Sequence, residues 1–389
     1  MEKTEAEIIA EILADGPTVL APPPRIRPFD EPELLPERNN FVMSAGVART
    51  PGGRLWLAWF GGGDDPKAYL LMARSDDDGH SWSKPLQIIK EPLSPHGFDR
   101  SVLGGNLWTA PDGRLWCFFS YSLGAFDGRG GVWCSVCGNP DAEVLEWSTP
   151  RRLWHGFALN KPVILGNGEW LLPISLWGRW YSWIGGLRAD APLHPELDAL
   201  RMAHFLVSAD QGATWERRGG VLAEGRVFDE PSLIERPDGS LRCLLRTHYG
   251  LAETISTDHA RSWTKPEPSE LKHCSSRIFT ARLSSGAVLL VKHGPLYEPV
   301  ERRSHLTAYL SDDDGASWGG GLLLDEREGV SYPDGFQAPD GRVHLTYDRK
   351  RIDGEILLAV FTEEDVRQGR PTSPATRLKI PAQRTAALS

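Results

Sequence analysis

The chain has 389 residues, of which 40% are hydrophobic and 24% charged, with a formal net charge of −9. That length can bury a large core, and that balance excludes a disordered chain. No apolar run approaches the ~18 residues of a spanning helix, and an acidic chain without a basic stripe is a poor match for nucleic acid, so neither membrane nor nucleic acid is an expected partner.

The first seventeen residues, MEKTEAEIIAEILADGP, predict a short amphipathic helix that stops at Gly16-Pro17. They lack the basic start and long apolar stretch of a signal peptide, so a cytoplasmic protein is expected. Residues 1–40 read as an arm: this helix, then the Pro-rich stretch APPPRIRPFDEPE.

A repeat begins after the arm. TPGGRLWLAWFGG (50–62), APDGRLWCFFSYS (110–122), LGNGEWLLPISLW (165–177), RPDGSLRCLLRTH (236–248), LSSGAVLLVKHGP (283–295) and APDGRVHLTYDRK (338–350) share one plan. Each is a tight turn ending in Gly, then a mostly apolar run, which is a hairpin turn feeding a buried strand. The turn glycines Gly53, Gly113, Gly168, Gly239, Gly286 and Gly341 are separated by 60, 55, 71, 47 and 55 residues. A strand-and-turn repeat of this length predicts an all-β, six-bladed β-propeller with about four strands per blade. The propeller is expected over residues 41–370, with 371–389 as a C-terminal tail. Part of the arm is expected to supply a strand that closes the ring.

A second motif is interleaved: SDDDGHSW (75–82), SADQGATW (208–215), STDHARSW (256–263) and SDDDGASW (311–318). Asp and Ser side chains bond backbone amides in a tight turn, Gly takes a left-handed backbone, and Trp packs. These boxes read as staples of the fold. The third has Ala260 in place of Gly, and the second blade keeps only EWSTP (146–150).

Five cysteines fit reduced thiols better than a disulfide framework. Cys134 and Cys137 make a lone Cys-x-x-Cys in GVWCSVCG, which alternates like a strand, and no second pair follows at zinc-site spacing. No metal or cofactor is expected. The segment WGRWYSWIGGLRADAPLHPELDAL (177–200) interrupts the repeat, and a long insertion on a rigid scaffold is a place to build a site.

Asp boxes within six such blades resemble the sialidase (neuraminidase) superfamily. Further residues carry the resemblance. FDEPSLIERPDGSLRCLLRT gives Glu230 and Arg246, sixteen residues apart with the turn glycine between them. RSHLTAYLSDDDG supplies Arg303, GVSYPDG supplies Tyr332, and LTYDRKR offers Asp348. The resemblance implies Tyr332 as nucleophile, Glu230 as its proton acceptor, and Arg246 and Arg303 as a grip on a substrate carboxylate. It also implies an acid, for which WFGGGDDPKAYL offers Asp64 or Asp65. The chemistry is coherent. A sugar with a carboxylate on its anomeric carbon repels a carboxylate nucleophile, whereas a neutral phenol escapes that repulsion. Guanidinium groups hold a carboxylate through paired bonds that Lys does not reproduce.

The pattern departs in one place. The family's first arginine falls at Met43, and Arg27, Arg38 and Arg100 are the candidates to replace it in space. Polar residues that flank inner strands give further candidates for substrate contact: His96, Asp99, Arg100, Asn160, Lys161, Arg277, Lys292 and His293, with Lys161 and Arg277 foremost. Asp334, in a Pro-Asp-Gly turn, reads as structural or as an electrostatic neighbour of Tyr332.

The expected function is an exo-acting, retaining glycoside hydrolase that releases a terminal acidic sugar from an oligosaccharide or glycoside. Two alternatives stand beside it: a propeller lyase on uronic-acid glycans, using His or Tyr with Arg and suggested by His96, His293 and the missing first arginine, and a non-catalytic glycan-binding propeller. Sequence leaves the oligomeric state open.

Overall fold

A computed structural model describes residues 3–14, 23–29, 40–182, 184, 187 and 193–385. The strands form six antiparallel sheets, each built from strands consecutive in the chain, apart from an added outer strand in the first. The innermost strands are Met43–Arg49, Arg100–Thr109, Val163–Ile164, Arg226–Glu235, Phe279–Arg282 and Val330–Gln337. The protein is therefore the six-bladed propeller that the turn glycines predict. A helix at Glu5–Ala14 precedes it, as expected.

The six turns are built alike. In each, the residue three before the glycine accepts from the glycine N–H and donates to the carbonyl of the residue after it, as in Gly53→Thr50 and Thr50→Arg54. All six glycines have φ between 80° and 96°, where a side chain would be strained.

The Asp boxes connect the third and fourth strands of blades one, three, four and five. Asp77 accepts from the Ser81 amide at 2.8 Å, from the Ser81 hydroxyl at 2.6 Å and from Ser75 at 2.8 Å. Asp210, Asp258 and Asp313 repeat the pattern. Bonds from the Ser or Thr hydroxyl four residues on hold all four carboxyls down at about 2. These bonds therefore stabilise the fold above about pH 4 and are lost as the pH falls toward 2. The box tryptophans lie against the preceding blade: Trp215 meets Trp116 edge-on at 6.5 Å, and Trp263 stacks on Phe205 at 4.4 Å. The boxes thus join blades as well as closing turns. In blade six a short helix, Glu363–Gln368, takes the place of the box, capped reciprocally by Thr362 and Asp365.

Two expectations about the ends need correction. The arm strand Arg27–Pro28 pairs outside the fourth strand of blade one and does not close the ring. Closure comes from the first and last blades meeting, with Val42 N–H donating to Arg351 O at 2.9 Å and Asp353 N–H to Asn40 O at 2.7 Å. The segment expected as a tail supplies Arg377–Arg384, the outer strand of blade six.

The centre of the ring is tied by one carboxylate. Asp334, fully buried on the inner strand of blade six, accepts from Val47 N–H (2.9 Å), Asn106 (3.3 Å), Arg277 (3.1 Å) and Lys161. Those partners come from blades one, two, five and three. Arg277 also donates to Asn160 at 2.9 Å, and Asn160 donates to Glu230 O at 3.2 Å and Pro231 O at 2.7 Å, which brings in blade four. Replacing Asp334 by Ala leaves fully buried Arg277 and part-buried Lys161 without their shared counter-charge. Urea denaturation is expected to show a loss of about 3–5 kcal/mol; an unchanged midpoint would deny the hub this role.

Candidate active site

The inner strands all run from one face of the ring to the other, so their beginnings and the loops above them gather at one mouth. There a pocket of about 150 Å³ is lined by Met43, Phe60, Asp64, Leu103, Gly104, Phe126, Leu159, Trp177, Phe228, Arg246, Arg303, Tyr332 and Arg351. Five of these carry chemistry, and blades one, four, five and six supply them.

Glu230 and Tyr332 sit on inner strands at β-bulges, and both have left-handed backbones, with φ of 47° and 54°. Phe228 and Asp229 are left-handed too, so three consecutive non-glycine residues are strained. Each is pinned. Trp177 Nε1 donates to Phe228 O at 2.7 Å, Asp229 accepts from Arg226 Nε at 2.8 Å, and Asn160 holds Glu230 O. The 177–200 insertion thus serves the site: Trp177 stacks on Phe157 at 4.0 Å, and Tyr181 lies 4.3 Å from Phe228.

The strain places the Tyr332 hydroxyl 2.6 Å from Glu230 Oε1. Arg246 Nη1 donates to the same oxygen at 2.9 Å, and lies 3.4 Å from the phenol oxygen. Glu230 and Tyr332 are 2% and 6% exposed. Burial and the Glu230 charge push the phenol up to about 12, while Arg246, Arg351 and Arg303 pull it down. At neutral pH the phenol is a neutral donor to a carboxylate, which is the ground state that a base-activated nucleophile needs.

Sequence reasoning missed Arg351. Its guanidinium lies 4.5 Å from the Tyr332 ring centroid, with Arg303 at 5.8 Å. Arg351 Nη1 stands 3.6 Å from Asp64, and its Nε is 3.5 Å from Asp348. Asp348 is buried, accepts from Ser44 N–H at 3.2 Å, and orients Arg351 without lining the pocket. Arg246, Arg303 and Arg351 therefore form a set of three guanidiniums. Arg351 lines the pocket together with Met43, reaching it from the neighbouring blade across the seam where the ring closes. Its place three residues after Asp348, just past a strand end, is the sole local cue, and it does not tell which mouth the side chain reaches.

The loop after the second strand of blade one separates the two aspartates. Asp64 lines the pocket, whereas Asp65 turns back to accept from Lys67 N–H at 2.7 Å. Although 43% of the Asp64 side chain reaches solvent, crowding by the pocket walls pushes its carboxyl up, with Arg351 opposing. A raised carboxyl suits a proton donor.

Several expected contacts lie elsewhere. Lys161 and Arg277 belong to the Asp334 hub below the site. Lys161 faces a cavity of about 580 Å³ at the opposite mouth, and Arg277 reaches only the underside of the Tyr332 ring, at 5.9 Å. Flanking an inner strand does not decide which end of the channel a side chain reaches. Arg100 is directed at Tyr121 and Glu91, and Arg27 also acts on Glu91. His96 sits in the Ser94–Phe98 turn, outside the pocket lining. Arg38 falls outside the described residues. Cys134 and Cys137 are buried in different apolar clusters of blade two, which separates the Cys-x-x-Cys pair.

Replacing Arg351 by Gln removes one of three charged grips. Titration calorimetry with a carboxylated sugar is expected to show binding weakened about 10- to 100-fold, from ~1.5–3 kcal/mol per charged hydrogen bond. Unchanged affinity would remove Arg351 from the set.

Comparisons with known proteins place this geometry in context. Residues 53–345 match the profile of the BNR repeat-like domain family. The anhydrosialidase of Macrobdella decora is 26% identical over 163 residues, which cover 37% of this chain and 21% of that protein. The chain thus spans about a fifth of that curated relative. A protein of unknown function from Dyadobacter fermentans superposes with a TM-score of 0.59 at 19% identity, covering 83% of this chain and 95% of that one. The intramolecular trans-sialidase of Ruminococcus gnavus superposes with a TM-score of 0.59 at 14% identity, covering 84% and 96%. At these identities the structural likeness establishes a sialidase-like propeller fold. With three-quarters of its length matched, the chain belongs to the BNR repeat-like domain family.

Proposed function

We propose that the protein is a retaining exo-glycosidase for a terminal sugar that carries a carboxylate at its anomeric carbon, a sialic acid or a close relative. The observation that carries this reading is the 2.6 Å bond between Tyr332 and buried Glu230, ringed by three guanidiniums. A phenol paired with a carboxylate answers a need that only such a sugar creates, because an ordinary glycoside is attacked well by a carboxylate.

The carboxylate binds Arg246, Arg303 and Arg351. The apolar wall of Phe126, Trp177, Phe228, Leu103 and Leu159 packs against the C–H face of the sugar and its substituents. Tyr332 O attacks the anomeric carbon as its proton passes to Glu230. Asp64 protonates the departing oxygen, and the sugar–tyrosine bond forms as the glycosidic bond breaks. Water then enters, Asp64 takes its proton, and the new hydroxyl displaces Tyr332, which recovers its proton from Glu230.

The histidines offered for the lyase alternative stand outside the pocket, so only its tyrosine form keeps its residues there. His293 is fully buried and donates from Nε2 to Val330 O at 2.9 Å, and neither it nor His96 lines the pocket.

The test is a screen of aryl glycosides and acidic oligosaccharides, read by mass spectrometry. Wild type should release a free acidic sugar, and Tyr332→Phe should be slower by at least about 100-fold. Release of an unsaturated sugar, or full activity in Tyr332→Phe, would contradict the proposal.

The two aspartates give a second test. Asp64→Asn should abolish cleavage of natural linkages while sparing, at first turnover, aryl glycosides whose leaving group needs no proton. Asp65→Asn should stay within a few-fold of wild type, of the order expected away from the proton-transfer step. Because the pocket raises Asp64, wild-type activity should fall as the pH rises through a value above the ordinary aspartate range. Arg351→Gln removes a charge that opposes this shift, so its alkaline limb should move to higher pH. A limb that stays in place in Asp64→Asn would assign the acid elsewhere.

A further inference from the structure

Behind the arginines lies a group of side chains that the proposed chemistry does not use. His273, Cys274 and His293 are all buried, and their donor atoms lie within 4.8 Å of one another. Nδ1 of His293 is buried without a hydrogen-bond partner, and the buried His273 ring has at most a poorly aligned contact with the Ser276 backbone. Polar atoms left so poorly paired in one buried spot are costly, and a common ligand would offset that cost.

His293 supplies a further observation. Its Nε2 lies 2.9 Å from Val330 O, so that nitrogen carries the proton and Nδ1 presents a bare lone pair. A backbone carbonyl fixing the tautomer of a histidine is the usual outer support of a metal ligand. The rings of His273 and His293 face each other, with centroids 5.2 Å apart and planes 23° apart.

We infer that His273, Cys274 and Nδ1 of His293 form a binding site for a thiophilic d10 metal ion, Zn²⁺ or Cu⁺. Two imidazoles and one thiolate are a donor set of the right softness for either. Donors around such an ion stand about 3.3–3.8 Å apart for bonds of ~2.0–2.3 Å, so the three must draw in by about 1 Å. On binding, the Cys274 thiol loses its proton to solvent and the sulfur–metal bond forms; no electron is transferred.

The surroundings are cationic, which makes the thiolate essential. Lys292 is turned away to the carbonyls of His293 (2.7 Å), Gly294 (3.0 Å) and Pro295, and Arg246 is paired with Glu230. The site also has a structural consequence. Ser275, next in sequence to Cys274, accepts from Arg246 Nε at 3.2 Å through its hydroxyl and from Arg303 Nη2 at 3.1 Å through its carbonyl. An ion on Cys274 braces the segment against which two of the three arginines rest.

The experiment uses the full chain and needs no sugar. Protein purified without chelator is measured by inductively coupled plasma mass spectrometry. Metal-stripped protein is then titrated with Zn²⁺, Co²⁺ and, under reducing conditions, Cu⁺. About one equivalent of Zn²⁺ or Cu⁺ should bind per chain, the identity of the better ion deciding between them. Co²⁺ should give a thiolate-to-metal charge-transfer band. Both signals should vanish in Cys274→Ser, which keeps the size of the side chain, and in His273→Leu. Failure of all three ions to bind wild type would overturn the inference, as would a charge-transfer band or stoichiometry retained in both variants.

Discussion

One buried carboxylate sets the geometry on which the rest depends. Asp334 gathers Val47 N–H, Asn106, Lys161 and Arg277, and through Arg277 and Asn160 reaches the strand that carries Glu230. Six sheets that share no strands are otherwise held by packing between faces and by bonds between neighbouring blades, such as Val42 N–H to Arg351 O and Arg342 to Asp78. A charged hub at the axis fixes their rotation and depth, because Asp334 and Arg277 are sealed from water and must keep their partners. Tyr332 stands two residues before Asp334 on the same strand, so the phenol is placed directly by the hub.

The site above the hub is an exercise in stored strain. Four left-handed residues, Phe228 to Glu230 and Tyr332, turn the phenol and the carboxylate toward each other across the channel. Trp177, Arg226 and Asn160 each hold one of the first three in place. None of these pins touches the Tyr332–Glu230 bond, yet that bond exists because of them. Rigidity at this point is what keeps a 2.6 Å contact ready before any substrate arrives.

Much of this was legible in sequence, for local reasons. The six turn glycines and the Asp boxes depend on residues within a few positions of one another, so their chemistry survives as a readable string. Glu230, Arg246, Arg303 and Tyr332 were legible because each keeps its place relative to a turn or a box. Arg351 was not, because the pocket needs a guanidinium at a point in space, and blades one and six both reach that point across the seam. Lys161 and Arg277 misled for a related reason: residues beside an inner strand face either mouth or the axis between, and only the shared carboxylate of Asp334 decides. The outer strand Arg377–Arg384 lacked the alternation and turn that marked the others, since it follows a helix in place of a box.

The central claim is that Tyr332 forms a bond to the sugar. Asp64→Asn, which can accept a sugar from an activated aryl glycoside but cannot activate water to release it, should accumulate the adduct. Peptide mapping of that variant by mass spectrometry should find one sugar residue on Tyr332. A variant that turns over its first equivalent with no adduct, or with the sugar on another side chain, would contradict the account.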